Sequence, residues 1–408
     1  MAKTMHGARV PDAGNGDGDA ASRGPNPGRG GWVLFAGALL ALVFGSVHAF
    51  SVFLEPLERQ LAQSRATVSL TYALALVFLT IGVLVGHRLY ALLRPPLFVA
   101  AVCLLAAAGA AVAAGAGGLL GLWLGYSLIF GWANGLAYGY ALQISAQAVP
   151  RRTGAAMALI TAAYGLGAAL APAAFAAALA WGGFPAAMLG LALALLAVVP
   201  ICAAALHHAG ILFASPPASG PGRLWDGLAQ WGRHWLGYGS AVAAGLMALG
   251  HASAIAQAAG LSAGAALAAP AVISLSGIPG CLLGGWSADR LPYRPLLVAW
   301  PLVSALGLFG LAAAQQGWPV LLCLALIGLA YGALIVVYPA AIAGRFGALA
   351  GVKVYGRVFT AWGTAGLIAP WLAGTIYDSQ GGYGLAMALA GLLSLLSAAI
   401  AVRLGTPP

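Results

Sequence analysis

Two histidines, His48 and His251, stand alone in apolar stretches of this 408-residue chain, each the one ionisable group of its stretch. An imidazole titrates near neutrality, so such a residue can carry a proton or, once charged, hold an anion. It can equally stay neutral and bond a carbonyl of a neighbouring helix. Other polar side chains are embedded in similar runs: Asn134, Tyr138, Gln143, Gln257, Tyr331 and Tyr338, with Tyr164 and Trp362 in two more. Carboxylates are missing from the middle of these runs, because Glu55, Glu58, Asp289 and Asp378 fall at their ends. A relay of carboxylates is thereby excluded. A travelling proton would ride on the histidines or on a bound solute. The residues set apart as solute-binding candidates are His48, Asn134, Tyr138, Tyr164, His251, Tyr331, Tyr338 and Trp362.

Other chemistries find little support. Cys103, Cys202, Cys281 and Cys323 occur singly, without a CxxC pair, so neither a metal site nor a disulfide framework is indicated. No cofactor motif is present. Gly260-Leu-Ser262-Ala-Gly264 has the spacing of a nucleophile elbow but lies between two apolar runs, without a strand before it. There is no GxxxxGK[ST] loop and no HExxH. An enzyme or an ATP-driven pump is not the expectation.

These residues need elements to position them, and composition says which. The chain is 62% hydrophobic and 6% charged, against roughly 25% charged in soluble domains. Lipid is the solvent such a chain requires, and helices are the structure that satisfies its backbone there. Twelve runs are long enough to span a bilayer: 31–53, 66–87, 96–118, 119–147, 153–178, 185–206, 235–259, 265–286, 294–314, 318–343, 354–375 and 381–404. With the N-terminus placed inside, 16 of the 18 Lys and Arg residues fall on the inner side, leaving Arg59 and Arg65 outside. Twelve spans, both termini inside and a cytoplasmic membrane of bacterial type satisfy the positive-inside rule together. The net charge of +10 is accounted for in this way, without nucleic acid. Residues 1–30, rich in Gly, Asp, Asn and Pro, read as a disordered tail without a signal-peptide core.

Residues 207–234 form the longest internal connection. Its Ser215–Gly222 part reads as a linker. Leu224 to Trp235 could form a helix at the membrane surface, with Trp225, Leu228 and Trp231 toward lipid. The connection separates a six-span bundle at 31–206 from another at 235–404. The halves echo each other: Gly135-Leu-Ala-Tyr-Gly139 recurs as Gly328-Leu-Ala-Tyr-Gly332, and Ala163-Tyr164-Gly165 as Ala361-Trp362-Gly363. Trp32 precedes His48 by the same distance as Trp235 precedes His251. Repeats with six spans each run parallel, about an axis normal to the membrane. Spans 3, 6, 9 and 12 are nearly pure Ala, Leu, Val and Gly and can face lipid. Spans 1, 4, 7 and 10 carry the polar groups and should line a central cavity, completed by spans 5 and 11.

Gly285-Trp-Ser-Ala-Asp289-Arg290-Leu-Pro-Tyr-Arg294 resembles the cytoplasmic loop motif GxLaDrxGrr of the major facilitator superfamily, with Pro292 at the motif's second Gly. The first-half counterpart, Gly82-Val-Leu-Val-Gly86-His-Arg88-Leu, has Gly86 in place of the Asp. The resemblance covers about residues 31–404. It implies an all-α polytopic membrane protein of twelve transmembrane helices in two pseudo-symmetric six-helix bundles. It also implies a monomeric secondary transporter, with Arg88, Asp289, Arg290 and Arg294 as a conformational latch. Ser51-Val-Phe-Leu-Glu-Pro-Leu57, Arg152-Thr-Gly154 and Tyr355-Gly-Arg-Val-Phe-Thr-Ala-Trp-Gly363 further resemble the oxalate/formate antiporter and monocarboxylate porter branch. Oxalate carriers of that branch neutralise a dianion with basic residues in spans 8 and 11; here Cys281 and Trp362 stand at those positions. A monocarboxylate, or a neutral or weakly polar solute, rather than a small dianion, is the resulting expectation, with the proton as one candidate coupling partner. An exporter of hydrophobic compounds and a transport-dead membrane sensor remain the alternatives.

Overall fold

The computed structural model describes residues 27–214, 228–314 and 317–404. Among them every regular element is helical. The first span is α1 (Pro27–Phe44), prolonged by a 3-10 segment, Gly45–Phe53. After a short surface helix, Leu54–Leu61, come α2 (Arg65–Gly86), α3 (Pro95–Ala114) and α4 (Leu119–Ala148). Within α4 the stretch Trp123–Phe130 is π-wound. The long run Thr153–Ala209 holds two limbs, α5 and α6, parted at Gly182 and Gly183, where φ reaches +70°. Two glycines suit that break, because the left-handed region costs them nothing. The second half comprises α7 (Leu228–Ala258), α8 (Ala263–Ala288), α9 (Tyr293–Ala313), α10 (Pro319–Phe346), α11 (Ala348–Gln380) and α12 (Gly384–Val402).

Ten of the described helical runs are long and apolar enough to cross a membrane. Pro150–Ala209 is one of the ten, yet it makes two crossings. Near its start Ile160 packs beside Gly37 of α1, and near its end the Cys202 thiol donates to the Ala36 carbonyl. Phe53, at the far end of that span, meets both Phe175 and Phe184. The limbs therefore fold back on each other along α1. The more polar α11 packs between α7 and α2 as a further spanning helix. Twelve crossings result.

The repeated Gly-Leu-Ala-Tyr-Gly segments explain how each half is knit. Gly135 of α4 lies against the backbone of Leu79 in α2, and Gly328 of α10 lies against Ile273 in α8. Small residues let these helix pairs approach until their backbones touch, which is where attraction between membrane helices arises. The tyrosine inside each segment, Tyr138 or Tyr331, is carried to the middle of the molecule.

One end of the bundle bears Arg88, Arg290 and Arg345 and is called the basic end below. A single apolar core runs through the first half and on into the basic end of the second, taking in Tyr238, Val337, Tyr355 and Phe359. The remainder of the second half, at the opposite end, has a core of its own around Ala248, Ile273, Leu324 and Ala390. The halves are thus fused at the basic end and separately packed at the other.

Two expectations about the connection change. Residues 228–234 continue directly into α7 as one helix, and Trp231 is buried rather than turned to lipid. The Arg357 guanidinium lies over its ring at 5.9 Å, so a cation, not a bilayer, covers the indole. Leu228 is exposed. The tail 1–26, and the linker 215–227 with Trp225, lie outside the described residues.

Candidate functional site

Residues from both halves converge at mid-height. His48 stands in the 3-10 segment after α1. Its Nδ1 is 2.7 Å from the Tyr72 hydroxyl of α2. Its ring meets Tyr164 of α5 edge-on at 5.5 Å and Trp362 of α11 at 6.4 Å. Trp362 donates its indole N–H to the Tyr331 hydroxyl at 2.9 Å and stacks on Phe359 at 5.3 Å. Phe359 reaches back to Tyr138 of α4 at 6.2 Å, and Tyr138 lies 4.8 Å from Tyr164. The result is a ring of aromatic side chains closed across the boundary between the halves.

Behind this ring Asn134 acts as a strut. Fully buried, it donates to the Phe44 carbonyl at 2.7 Å and accepts from the Tyr164 hydroxyl at 2.9 Å. Both ends of the amide are used, so Asn134 ties α4 to α1 and α5 and fixes the Tyr164 ring. Tyr138 is 3.4 Å from the Thr161 hydroxyl. Of the eight residues selected from sequence, His48, Tyr138, Tyr164, Tyr331 and Trp362 share this site, with Asn134 directly behind it.

His251 and Tyr338 do not join them. His251 sits among the residues of the second half's own core and is held twice, Nε2 at 2.8 Å from the Pro370 carbonyl and Nδ1 at 3.1 Å from the Tyr383 hydroxyl. The two histidines match in sequence but not in space, because the helices that carry them are wound differently. Four residues of 3-10 winding between Phe44 and His48 turn the side chain about 80° further than an α-helix would, and α7 stays α-helical through His251. Tyr338 lies toward the basic end, 3.1 Å from the Ser397 hydroxyl and packed on Tyr238. Tyr72 and Phe359 belong to the site and are absent from the sequence selection. Tyr72 was harder to find, because it follows Thr67, Ser69 and Thr71 near the start of α2 and does not stand out as a lone polar group.

At the basic end Asp289, at the end of α8, crosses to α5. Its Oδ1 accepts from the Gly154 backbone N–H at 2.7 Å and its Oδ2 from Ala155 at 2.9 Å. These are first-turn N–H groups without helical partners, and the carboxylate also meets the positive end of the helix dipole. The approach depends on Gly154 and Gly285, whose backbones are in contact. Arg290 donates to the Trp286 carbonyl and lies 4.7 Å over its ring, and Arg294 donates to the Val402 carbonyl. Both arginines therefore brace their own half. Arg88 is exposed in the turn after α2. The cross-half contact of the four is made by Asp289.

Two grooves lie on the outside of the bundle, about 490 Å³ beside Arg294 and Leu302 and about 470 Å³ between Trp32 and His208. Their walls are apolar and face where bilayer chains would fill them, away from the aromatic ring.

Comparison with known proteins bears on this architecture. Residues 33–313 match the family model described as Major Facilitator Superfamily, more than half of the chain. The chain belongs to the major facilitator superfamily. No curated protein matches it by sequence. Among solved structures, the proton:xylose symporter XylE bound to 6-bromo-6-deoxy-D-glucose superposes with a TM-score of 0.72 at 15% identity, over 92% of this chain and 95% of that one. The transporter FucP in the outward conformation gives a TM-score of 0.67 at 16% identity, over 92% and 100%. The E. coli fucose:proton symporter FucP (N162A) gives 0.65 at 18%, over the same shares. At these identities the likeness establishes the fold. For a superfamily chain the twelve crossings and the two bundles form one architecture, that of a multi-pass membrane transporter.

Proposed function

We propose that this protein is a secondary carrier of a small monocarboxylate, working by alternating access in a bacterial-type cytoplasmic membrane, with the basic end cytoplasmic and the solute held at the aromatic ring. The observation that carries the reading is the meeting of His48 from one half with Trp362 from the other. A solute bound between them touches both rigid bodies, so their rocking about it would present it to either side.

The donors suit one carboxylate. With Nδ1 engaged by Tyr72, His48 has Nε2 to present. If Tyr72 donates to Nδ1, Nε2 bears the proton and can give it to a carboxylate; charged, the ring donates at both nitrogens. A proton on His48 and a negative solute beside it neutralise each other, which lowers the cost of carrying either through a low-dielectric site. That is a physical basis for proton coupling. Aromatic faces would hold the apolar part of the acid. Asn134 and Tyr331 are already bonded within the protein, leaving few groups for the many hydroxyls of a sugar. Export of a neutral hydrophobic compound is the competing use of the same aromatic lining. A division into two six-helix bundles, joined by the connection between α6 and α7, is part of the proposal, as is a monomer in the bilayer.

The test is uptake of labelled acetate, lactate, formate and oxalate into proteoliposomes, with and without an inward proton gradient, alongside xylose and fucose. Protein-free liposomes control for leakage of the neutral acids. The reading expects saturable, gradient-driven monocarboxylate uptake that is lost in His48→Ala. Uptake of none of the acids refutes the substrate assignment, and competition by bulky apolar compounds favours export.

A further inference from the structure

At the basic end the halves meet in two pseudo-equivalent places with opposite chemistry. Where α8 meets α5, Asp289 places a carboxylate on a helix N-terminus. Where α2 meets α11, the corresponding residue is Gly86, and the Tyr90 ring occupies the space its side chain would take. The next residue, His87, is half-buried in the turn, with Nδ1 2.9 Å from the Leu84 carbonyl. Helix α11 packs directly on the last turn of α2, just before His87. A Cβ added to Gly356 would stand 3.0 Å from the Val83 oxygen and 3.1 Å from the Leu84 oxygen. Lys353 and Arg357 flank Gly356 along α11, and their positive charges act on the imidazole across this contact.

The charged and titratable groups around His87 are then Arg88 and Tyr90 from its own turn and Lys353 and Arg357 from α11. Arg357 is itself buried, its guanidinium over Trp231. Burial above all holds the imidazole below its usual range; the Leu84 carbonyl works the other way, and the positive Arg88, Lys353 and Arg357 add to the lowering. Burial raises the Tyr90 hydroxyl above its ordinary value, so it stays neutral.

We propose that His87 is a proton-operated release for the basic-end seal: neutral, it lets α11 rest on the α2 turn, and protonated, it joins Arg88, Lys353 and Arg357 in driving α11 away. The sign follows from linkage. The packed form disfavours the charged ring, and an opened form returns it to water, so protons favour opening. Stability of the packed form is complete when His87 is neutral and falls as pH drops through the imidazole range. Each pKa unit between the two forms corresponds to about a tenfold change in the opening equilibrium. With the basic end cytoplasmic, acidification of the cytoplasm would release the gate. The inference needs the halves to rock, as the carrier reading does, but no particular substrate.

The experiment measures the distance between spin labels at the exposed residues Leu92 and Leu349, on either side of this contact, as Leu92→Cys and Leu349→Cys. The four native cysteines are replaced by Ala and no solute is present. Spectra are taken at about pH 8 and about pH 5.5, either side of the imidazole range. The long-distance population should grow several-fold on acidification. His87→Gln should abolish the growth, His87→Arg should show the long distance at both pH values, and Lys353→Gln should weaken the response. An unchanged distribution in the parent protein, or a full response in His87→Gln, overturns the proposal. Absence of any long-distance population, even with Asp289→Ala added, would instead overturn the rocking itself.

Discussion

Removing the Asp289 carboxylate should loosen the basic-end seal by a calculable amount. Its two oxygens accept from Gly154 and Ala155 at 2.7 and 2.9 Å. Hydrogen bonds to a charged group contribute about 1.5–3 kcal/mol each when buried, and a carboxylate at a helix N-terminus adds about 0.3–1 kcal/mol. Asp289 is half-exposed and Ala155 exposed, so water competes for both partners and the low end of these ranges is reduced further. About 2 kcal/mol in all is a reasonable total, or about thirtyfold in the equilibrium between sealed and opened forms. Asp289→Ala should show that shift. Asp289→Asn keeps one acceptor and should show about fivefold, roughly half the free energy. The assay is the distance distribution between spin labels at the exposed positions Arg151 and Leu291, at the ends of α5 and α8, in nanodiscs without solute. If both variants keep the parent distribution, the carboxylate does not hold the seal and the reasoning fails.

Four further outcomes follow from the packing. Gly86→Asp should not create a second latch, because the new side chain would run into Tyr90 and the facing turn of α11 lies inside a helix already begun at Ala348; a lower melting temperature without a shift toward the sealed form is expected. Gly45→Ala drives a Cβ into the Tyr164 carbonyl and should cost at least about 1–3 kcal/mol, read as a fall in thermal stability together with weaker solute binding. His251→Leu should lower stability by losing two hydrogen bonds while leaving solute affinity within about twofold, whereas Tyr72→Phe, which loses one, should cost less stability and flatten the pH dependence of uptake. Equal effects of these last two on binding would contradict the placement of the histidines.

Much of the fold was legible because it depends on one-dimensional properties. Apolar run length set the number of crossings, and the repeated Gly-Leu-Ala-Tyr-Gly segments marked the two related halves; which helices they bring together came from the packing. Asp289 stood out for its neighbours in sequence. What it touches could not be read, because Gly154 is 135 residues away in the chain and offers only backbone N–H groups, which every residue type but proline has.

The chemistry of single positions was decided by the tertiary structure. His48 and His251 are equivalent by spacing, yet 3-10 winding after Phe44 turns one into the central ring and an ordinary helix leaves the other bonded to Pro370. Asn134 looks like a ligand and serves as a strut, because both ends of its amide find partners on other helices. The sequence by itself determined that this chain crosses a membrane many times in two related halves, since hydrophobic length and charge distribution are local quantities. Which polar groups face a solute and which are spent on the protein depends on small rotations of packed helices, and only the assembled bundle fixes those.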